Sequence, residues 1–164
     1  MIMGEKSFTD LERRDEERHL LVAVDESMNS RRAVMYLADF FGAYRDVFIT
    51  MLSIIPEPSE DYFATEAERE QWLMEHKQEI EAKLAEYREI LLEAGFRPEQ
   101  LESRLVVQDC NSIADAILKE QDKLRCCIVV VGRRGLTHNE EFVFGSTSSK
   151  ILHNARNCAV LVVE

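Results

Sequence analysis

Three glycines in the last third of the chain stand where a phosphate can be held. They fall in Gly132-Arg133-Arg134-Gly135, followed by nine residues from Leu136 to Phe144 and then by Gly145-Ser146-Thr147. Gly132 closes an apolar run and, having no side chain, lets backbone and ligand come close. Gly135 permits a sharp turn. Gly145-Ser146-Thr147 opens a helical pattern, and the unpaired amides and dipole of a helix start favour an anion. Ser146, Thr147, Ser148 and Ser149 add hydroxyl donors, and Arg133 and Arg134 add positive charge. Each part suits the sugar and phosphates of a nucleotide. The same residue types also serve as plain turn and capping chemistry. An anion or nucleotide site is favoured because they share one loop after a buried strand, the edge at which open α/β sheets bind ligands.

Elements able to position that loop can be read upstream and downstream of it. His19-Leu20-Leu21-Val22-Ala23-Val24 is an almost wholly apolar run ending at Asp25, as expected of a strand buried on both faces. Ser27, Asn29 and Ser30 then offer N-cap side chains. Ala33, Val34, Leu37, Ala38 and Phe41 recur at helical spacing before Gly42. Val47 to Ile55 reads as a second buried strand closed by Pro56 and Pro58. Residues 65–94 form a long helix with a Thr65/Glu68 capping box and an apolar stripe of Leu73, Ile80, Leu84, Tyr87 and Leu91, ended by Gly95 and Pro98. Trp72 and Met74 flank that stripe as packing residues. Arg104–Gln108 is a third strand, and a helix from Asn111 or Ser112 to about Gln121 turns Ile113, Ile117 and Leu118 inward. Cys126–Val131 is the fourth strand, Ser146–Asn154 a helix, and Ala159–Val163 the fifth strand. Strands alternating with helices give an α/β fold with a doubly wound sheet. Residues 1–18 read as a tail whose sizeable apolar anchors after Met3 are Phe8 and Leu11, and 19–164 as the domain.

Composition bounds the function classes. The 164 residues carry 20 Lys+Arg and 31 Asp+Glu, for a formal charge of −11, which argues against nucleic acid or an anionic membrane as partner. The charge is local: residues 56–103 hold 5 basic and 14 acidic side chains, whereas 104–164 hold 8 and 7. Most of the acidity therefore belongs to the solvated face of the long helix, and the C-terminal third is free to meet a small anion. No apolar stretch approaches the ~18 residues of a membrane span, and the charged N-terminus has no signal-peptide core, so a cytoplasmic protein is the expectation. Cys110, Cys126, Cys127 and Cys158 form no C-x-x-C pair and read as thiols packed as small hydrophobes, with a redox role as the alternative.

The G-x-x-G, nine residues, G-[S/T] spacing resembles that of the nucleotide-binding universal stress proteins. So do the first strand ending Val22-Ala23-Val24-Asp25-Glu26-Ser27 and the closing Cys158-Ala159-Val160-Leu161-Val162-Val163. The resemblance runs from about His19 to Glu164. It implies a five-stranded parallel sheet in order 3-2-1-4-5 with helices on both faces, its topological switch between strands one and four, and Asp25 and Gly132 on the two lips of one crevice. It further implies that Ala23, Val24 and Asp25 line the adenosine part of a nucleotide, with Ile54 at the end of strand two. Gly132, Arg134 and Gly135 would meet ribose and phosphates, and Gly145, Ser146, Thr147 and Ser148 would hold phosphates. ATP, ADP or AMP is the implied ligand, and a homodimer through strand 159–163 is the implied assembly. From their place in the nine-residue loop, Glu140 and Glu141 are within reach of a Mg2+ ion, with a solvated loop as the favoured reading of that pair. The chain departs from the family at Asp109-Cys110-Asn111, where a glycine is common, and at Arg125-Cys126, where an acidic residue often enters strand four. Asp25 has a second reading, as a helix-entry capping residue.

Catalytic parts are few. Neither G-x-x-x-x-G-K-[S/T] nor G-x-G-x-x-G occurs, and His19, His76, His138 and His153 are dispersed. No base or water-orienting side chain can be named for phosphoryl transfer. The sequence therefore points to an adenine-nucleotide-binding regulatory or sensor protein of the stress response, with slow ATP hydrolysis at most. The alternative is a nucleotide-independent interaction protein that uses the acidic helix 65–94 as its partner surface. A nucleotidyl-transfer enzyme of similar layout would need a His or Lys cluster near Ser27 or Gly132, which the sequence lacks.

Overall fold

The computed structural model describes residues 18–25, 27–109, 112–133 and 146–164. In chain order the elements are β1 (Arg18–Ala23), α1 (Met28–Phe41), β2 (Val47–Pro56), α2 (Glu66–Glu93), β3 (Leu101–Gln108), α3 (Ile113–Leu124), β4 (Ile128–Gly132), α4 (Ser146–Asn154) and β5 (Ala159–Val163). Short 3-10 turns at Glu60–Tyr62 and Pro98–Gln100 lie on either side of α2. The five strands form one sheet in the order β3-β2-β1-β4-β5, and every neighbouring pair is parallel. This is the expected strand order. β1 is central, with Leu20 level with Ile49 on one side and with Ile128 on the other.

Strand alternation sorts the core into two layers. On one face Leu20, Val22, Ile49 and Met51 meet Val34 and Leu37 of α1 and Ile80, Leu84, Tyr87 and Leu91 of α2. On the other, Leu21, Leu52, Val129 and Val131 meet Ala114 and Ile117 of α3 and Ile151 of α4. Both faces of the inner strands are covered, so these strands read as continuous apolar runs rather than alternating ones.

The helices end where local chemistry directs. Ser27 and Ser112 cap α1 and α3 by accepting from the amides of Ser30 and Asp115. Thr65 caps α2 by accepting from the Glu68 amide at 3.2 Å, while the Glu68 carboxylate accepts from Ala64, one residue before the cap itself. After α2, Gly95 takes φ +107°, a left-handed turn that most side chains resist. Of the α2 stripe, Ile80, Leu84, Tyr87 and Leu91 are buried and Leu73 is half-buried. Trp72 stacks on His76 and meets Phe63, consistent with packing, whereas Met74, expected to pack, is exposed.

Some expectations shift. β1 starts and ends one residue earlier than its apolar run, because the Arg18 amide donates to the Asp46 carbonyl. β3 begins at Leu101, since the ladder with β2 extends through the polar residues Glu102 and Ser103. β4 begins at Ile128, after Cys126 and Cys127. Ile113, expected inward, is 40% exposed. Ala114 and Ala116 are buried there with Ile117, and so is Glu120, whose carboxylate pairs with Arg104 at 3.1 Å and Lys123 at 2.8 Å. No described helix is long and apolar enough to cross a membrane. Leu21→Ala, at a fully buried site, is expected to cost about 2–5 kcal/mol in urea denaturation. Met74→Ala, on the exposed side of α2, should stay within about 0.5 kcal/mol.

Candidate functional site

At the carboxyl edge of the sheet, β1 and β4 part to opposite helices and leave a crevice. A cavity of about 360 Å³ opens there, within the range of small-molecule sites. Ala23, Val24 and Asp25 come to it from the end of β1, Leu52 and Ile54 from β2, Val131 and Gly132 from β4, Ile113 and Ile117 from α3, and Thr147 and Ser148 from α4. Ser27, Asn29 and Ser30 complete it from the start of α1. The floor is aliphatic and one wall carries hydroxyl, amide and carboxylate groups. Such a wall can accept from and donate to a polar ligand while the floor takes an apolar ring.

Asp25 is the most constrained residue of the site. Its Oδ1 accepts from the Ser27 amide at 2.8 Å and from the Ser30 hydroxyl at 2.7 Å. Its own amide donates to Ser30 Oγ at 2.8 Å, and its carbonyl accepts from the Tyr87 hydroxyl at 2.7 Å. Burial pushes the carboxyl upward, but hydrogen bonds from the Ser27 and Ser30 side chains and from the backbone outweigh it and hold the group below the ordinary carboxylate range. The capping role expected of Asp25 falls instead to Ser27, while Asp25 stands on the lip of the crevice and holds the Ser27 amide and the Ser30 hydroxyl. Among the described lining residues Asp25 is the one charged group.

Gly132 is needed for a reason beyond ligand access. A β-carbon there would stand 2.6 Å from the carbonyl oxygen of Asn29 and 2.9 Å from its Cβ. The first turn of α1 lies directly against β4 at this point. Opposite, the Ser148 hydroxyl donates to the Gly132 carbonyl at 3.2 Å. Ser148 is buried, so its hydroxyl fastens α4 to β4, and Thr147 is the more accessible of the two. α4 begins at Ser146, and its amino end faces the crevice through Thr147 and Ser148.

Of the site residues expected from sequence, Ala23, Val24, Asp25, Ile54, Gly132, Thr147 and Ser148 line this one cavity. Arg134, Gly135 and Gly145, the Ser146 side chain, and the carboxylates of Glu140 and Glu141 lie outside the described residues. Arg133, expected to add charge beside the phosphates, instead pairs with Glu164. This follows from the end of the sheet, where the Arg133 amide donates to the Val163 carbonyl and brings the two side chains together. Leu52, Val131, Ile113 and Ile117 were legible only as core, and Ser27, Asn29 and Ser30 only as caps. Their proximity to a strand end at the sheet's switch point was the available signal. Tyr87 gave none, because its hydroxyl reaches Asp25 across the fold.

A profile of the Universal stress protein family matches residues 17–164. No curated protein matches the chain. Among solved structures, universal stress protein UspA from Lactobacillus plantarum is 16% identical with a TM-score of 0.72, over 90% of this chain and 97% of that one. A universal stress protein in complex with cAMP is 22% identical with a TM-score of 0.62, over 90% and 96%. The universal stress protein from Archaeoglobus fulgidus in complex with dAMP is 19% identical with a TM-score of 0.59, over 90% and 98%. At these identities the likeness is one of fold.

Ser30→Ala should expose how Asp25 is held. The folded-state pKa of Asp25 lies below its unfolded value, so its contribution to stability is present above the unfolded value and lost as pH falls through the folded one. Removing the Ser30 hydroxyl raises the folded value. The stability difference between wild type and Ser30→Ala is therefore expected to narrow on acidification, as read by urea denaturation at neutral pH and at the lowest pH where both fold. A difference independent of pH would show that Asp25 is not the group concerned.

Proposed function

The chain belongs to the universal stress protein family, and we propose from that premise that its crevice binds an adenine nucleotide and that the protein acts as a nucleotide-responsive regulator. The observation carrying this reading is the cavity at the switch point, with an aliphatic floor, a fixed carboxylate on one lip and a helix amino end on the other. A purine is flat and largely apolar on its faces and suits the slot among Leu52, Ile54, Ile113 and Ile117. Ribose hydroxyls are donors and suit the ionised Asp25. Phosphates suit the amides at the start of α4, with Arg134, Gly135, Gly145 and Ser146 completing the loop. Complexes of two fold relatives with cAMP and dAMP support the choice of adenine.

Binding, rather than turnover, is the activity this lining supports. Asp25 is its one charged side chain among the described residues, and the Oδ1 of that carboxylate is committed to Ser27 and Ser30. A signal from the site has a route outward, because Tyr87 of α2 holds the Asp25 carbonyl and Glu86 beside it pairs with Arg31 of α1. The acidic face of α2 is then the surface a partner would read. β5 is the sheet edge next to β4, with half-buried Val160, Leu161 and Val162. A second copy pairing there would cover that edge, and light scattering is expected to return the mass of a dimer.

Acid extraction of the purified protein followed by mass spectrometry should release an adenine nucleotide, and titration calorimetry with AMP, ADP and ATP should then rank phosphate number. Gly145→Val is expected to weaken binding at least tenfold while the circular dichroism spectrum stays unchanged. Absence of bound nucleotide together with no thermal shift at millimolar ATP overturns the reading. Reversing several α2 glutamates separates the alternative: loss of a partner at unchanged nucleotide affinity would assign α2 to partner binding alone.

A further inference from the structure

At the end of the sheet opposite the crevice, two thiols meet. β4 and β5 run in register with Ile128 level with Ala159, and Cys127 and Cys158 stand one residue before that pair on either chain segment. The ladder reaches them: the Ala159 amide donates to the Cys127 carbonyl at 2.8 Å, and the Cys127 amide donates to the His19 carbonyl of β1 at 2.8 Å. Neighbouring strands lie about 4.8 Å apart, inside the roughly 4.4–6.8 Å between α-carbons that a disulfide spans. Both residues are half-buried, which leaves them open to a small oxidant, whereas Cys126 beside them is fully buried. Burial pushes the Cys158 thiol up, and the nearness of Cys127 pushes it further, against an opposing hydrogen bond from the Arg156 backbone.

We propose that Cys127 and Cys158 form a peroxide-responsive dithiol that closes to an intrachain disulfide between β4 and β5. Cys127 reacts first. Its sulfur attacks one oxygen of the peroxide and the O–O bond breaks, giving a sulfenic acid and one water. The sulfur of Cys158 then displaces the hydroxyl from Cys127, which leaves with the Cys158 proton as the second water. Two thiols and one peroxide thus yield one disulfide and two waters. Cys158 is suited to the second role because its raised pKa keeps it protonated, and therefore slow toward peroxide, until a sulfenic acid is presented beside it. The link would fasten β5 to the sheet at the strand's start, while the Arg133–Glu164 pair fastens its end.

The test is to treat the full chain with a small excess of hydrogen peroxide, block remaining thiols with iodoacetamide, and digest with trypsin without reduction. Residues 126–133 and 157–164 fall in separate tryptic peptides, and Cys110 in a third, 105–119. The expected product is peptide 126–133 joined to 157–164 within one chain, reversed by dithiothreitol, with fragment ions placing the link on Cys127. Cys127→Ser should lower the yield of the linked pair at least tenfold, and Cys126→Ala should leave it unchanged. Fragment ions decide the assignment on the wild-type chain even if a variant fails to fold. A link on Cys126 or Cys110, a link formed only between chains, or Cys158 still fully alkylated after Cys127 has become a sulfinic acid would overturn the proposal.

Discussion

The bare backbone of Gly132 sets how near α1 comes to β4. With the Asn29 carbonyl 2.6 Å from where a β-carbon would sit, even alanine would force strand and helix apart. Much of the carboxyl edge depends on this approach. It brings Ser27 and Ser30 level with the end of β1, where they close around Asp25. It also leaves the Gly132 carbonyl open on its other side to Ser148, so that α4 is hung from the same residue. Both walls of the crevice are thus referred to one position in β4.

The sheet was legible because parallel strands buried on both faces leave unmistakable apolar runs, and because Ser, Thr and Gly punctuate the helices. Strand order came from resemblance, since composition and spacing say nothing of which strand lies beside which. Polar residues hid the start of β3: Glu102 and Ser103 sit in a ladder that hydrophobic periodicity does not register. The site was legible in part. Asp25 and Gly132 announced themselves by type and position, yet Ile113 looked like core and turned out to border a cavity. Arg133 looked like positive charge beside the phosphate loop and is paired with Glu164. A sequence states a side chain's chemistry and leaves its direction to the fold.

Net charge illustrates the same division. The acidic excess sits on α2, whose N-terminal half exposes its glutamates while Trp72 and Leu73 pack against the core. Its C-terminal half supplies Tyr87 and Arg88, both turned to backbone carbonyls, of Asp25 in one case and of Leu101 and Pro98 in the other. One helix therefore serves as a solvated acidic surface along one stretch and as a brace for the crevice along another. A whole-chain charge conceals both.

Because β1 lies between β2 and β4, the crevice needs strands from both parts of the chain. β1, α1, β2, α2 and β3 are consecutive and can pair with mostly nearby sequence, which carries a modest loop-closure cost. The second lip is supplied by β4 on the other side of β1, where Leu20 is level with Ile128 across more than a hundred residues of sequence. A nascent or proteolysed chain ending before β4 holds Asp25 and its serines but has no site. A ligand that touched both lips would therefore bind the assembled sheet in preference to a chain lacking β4, and would stabilise it by mass action.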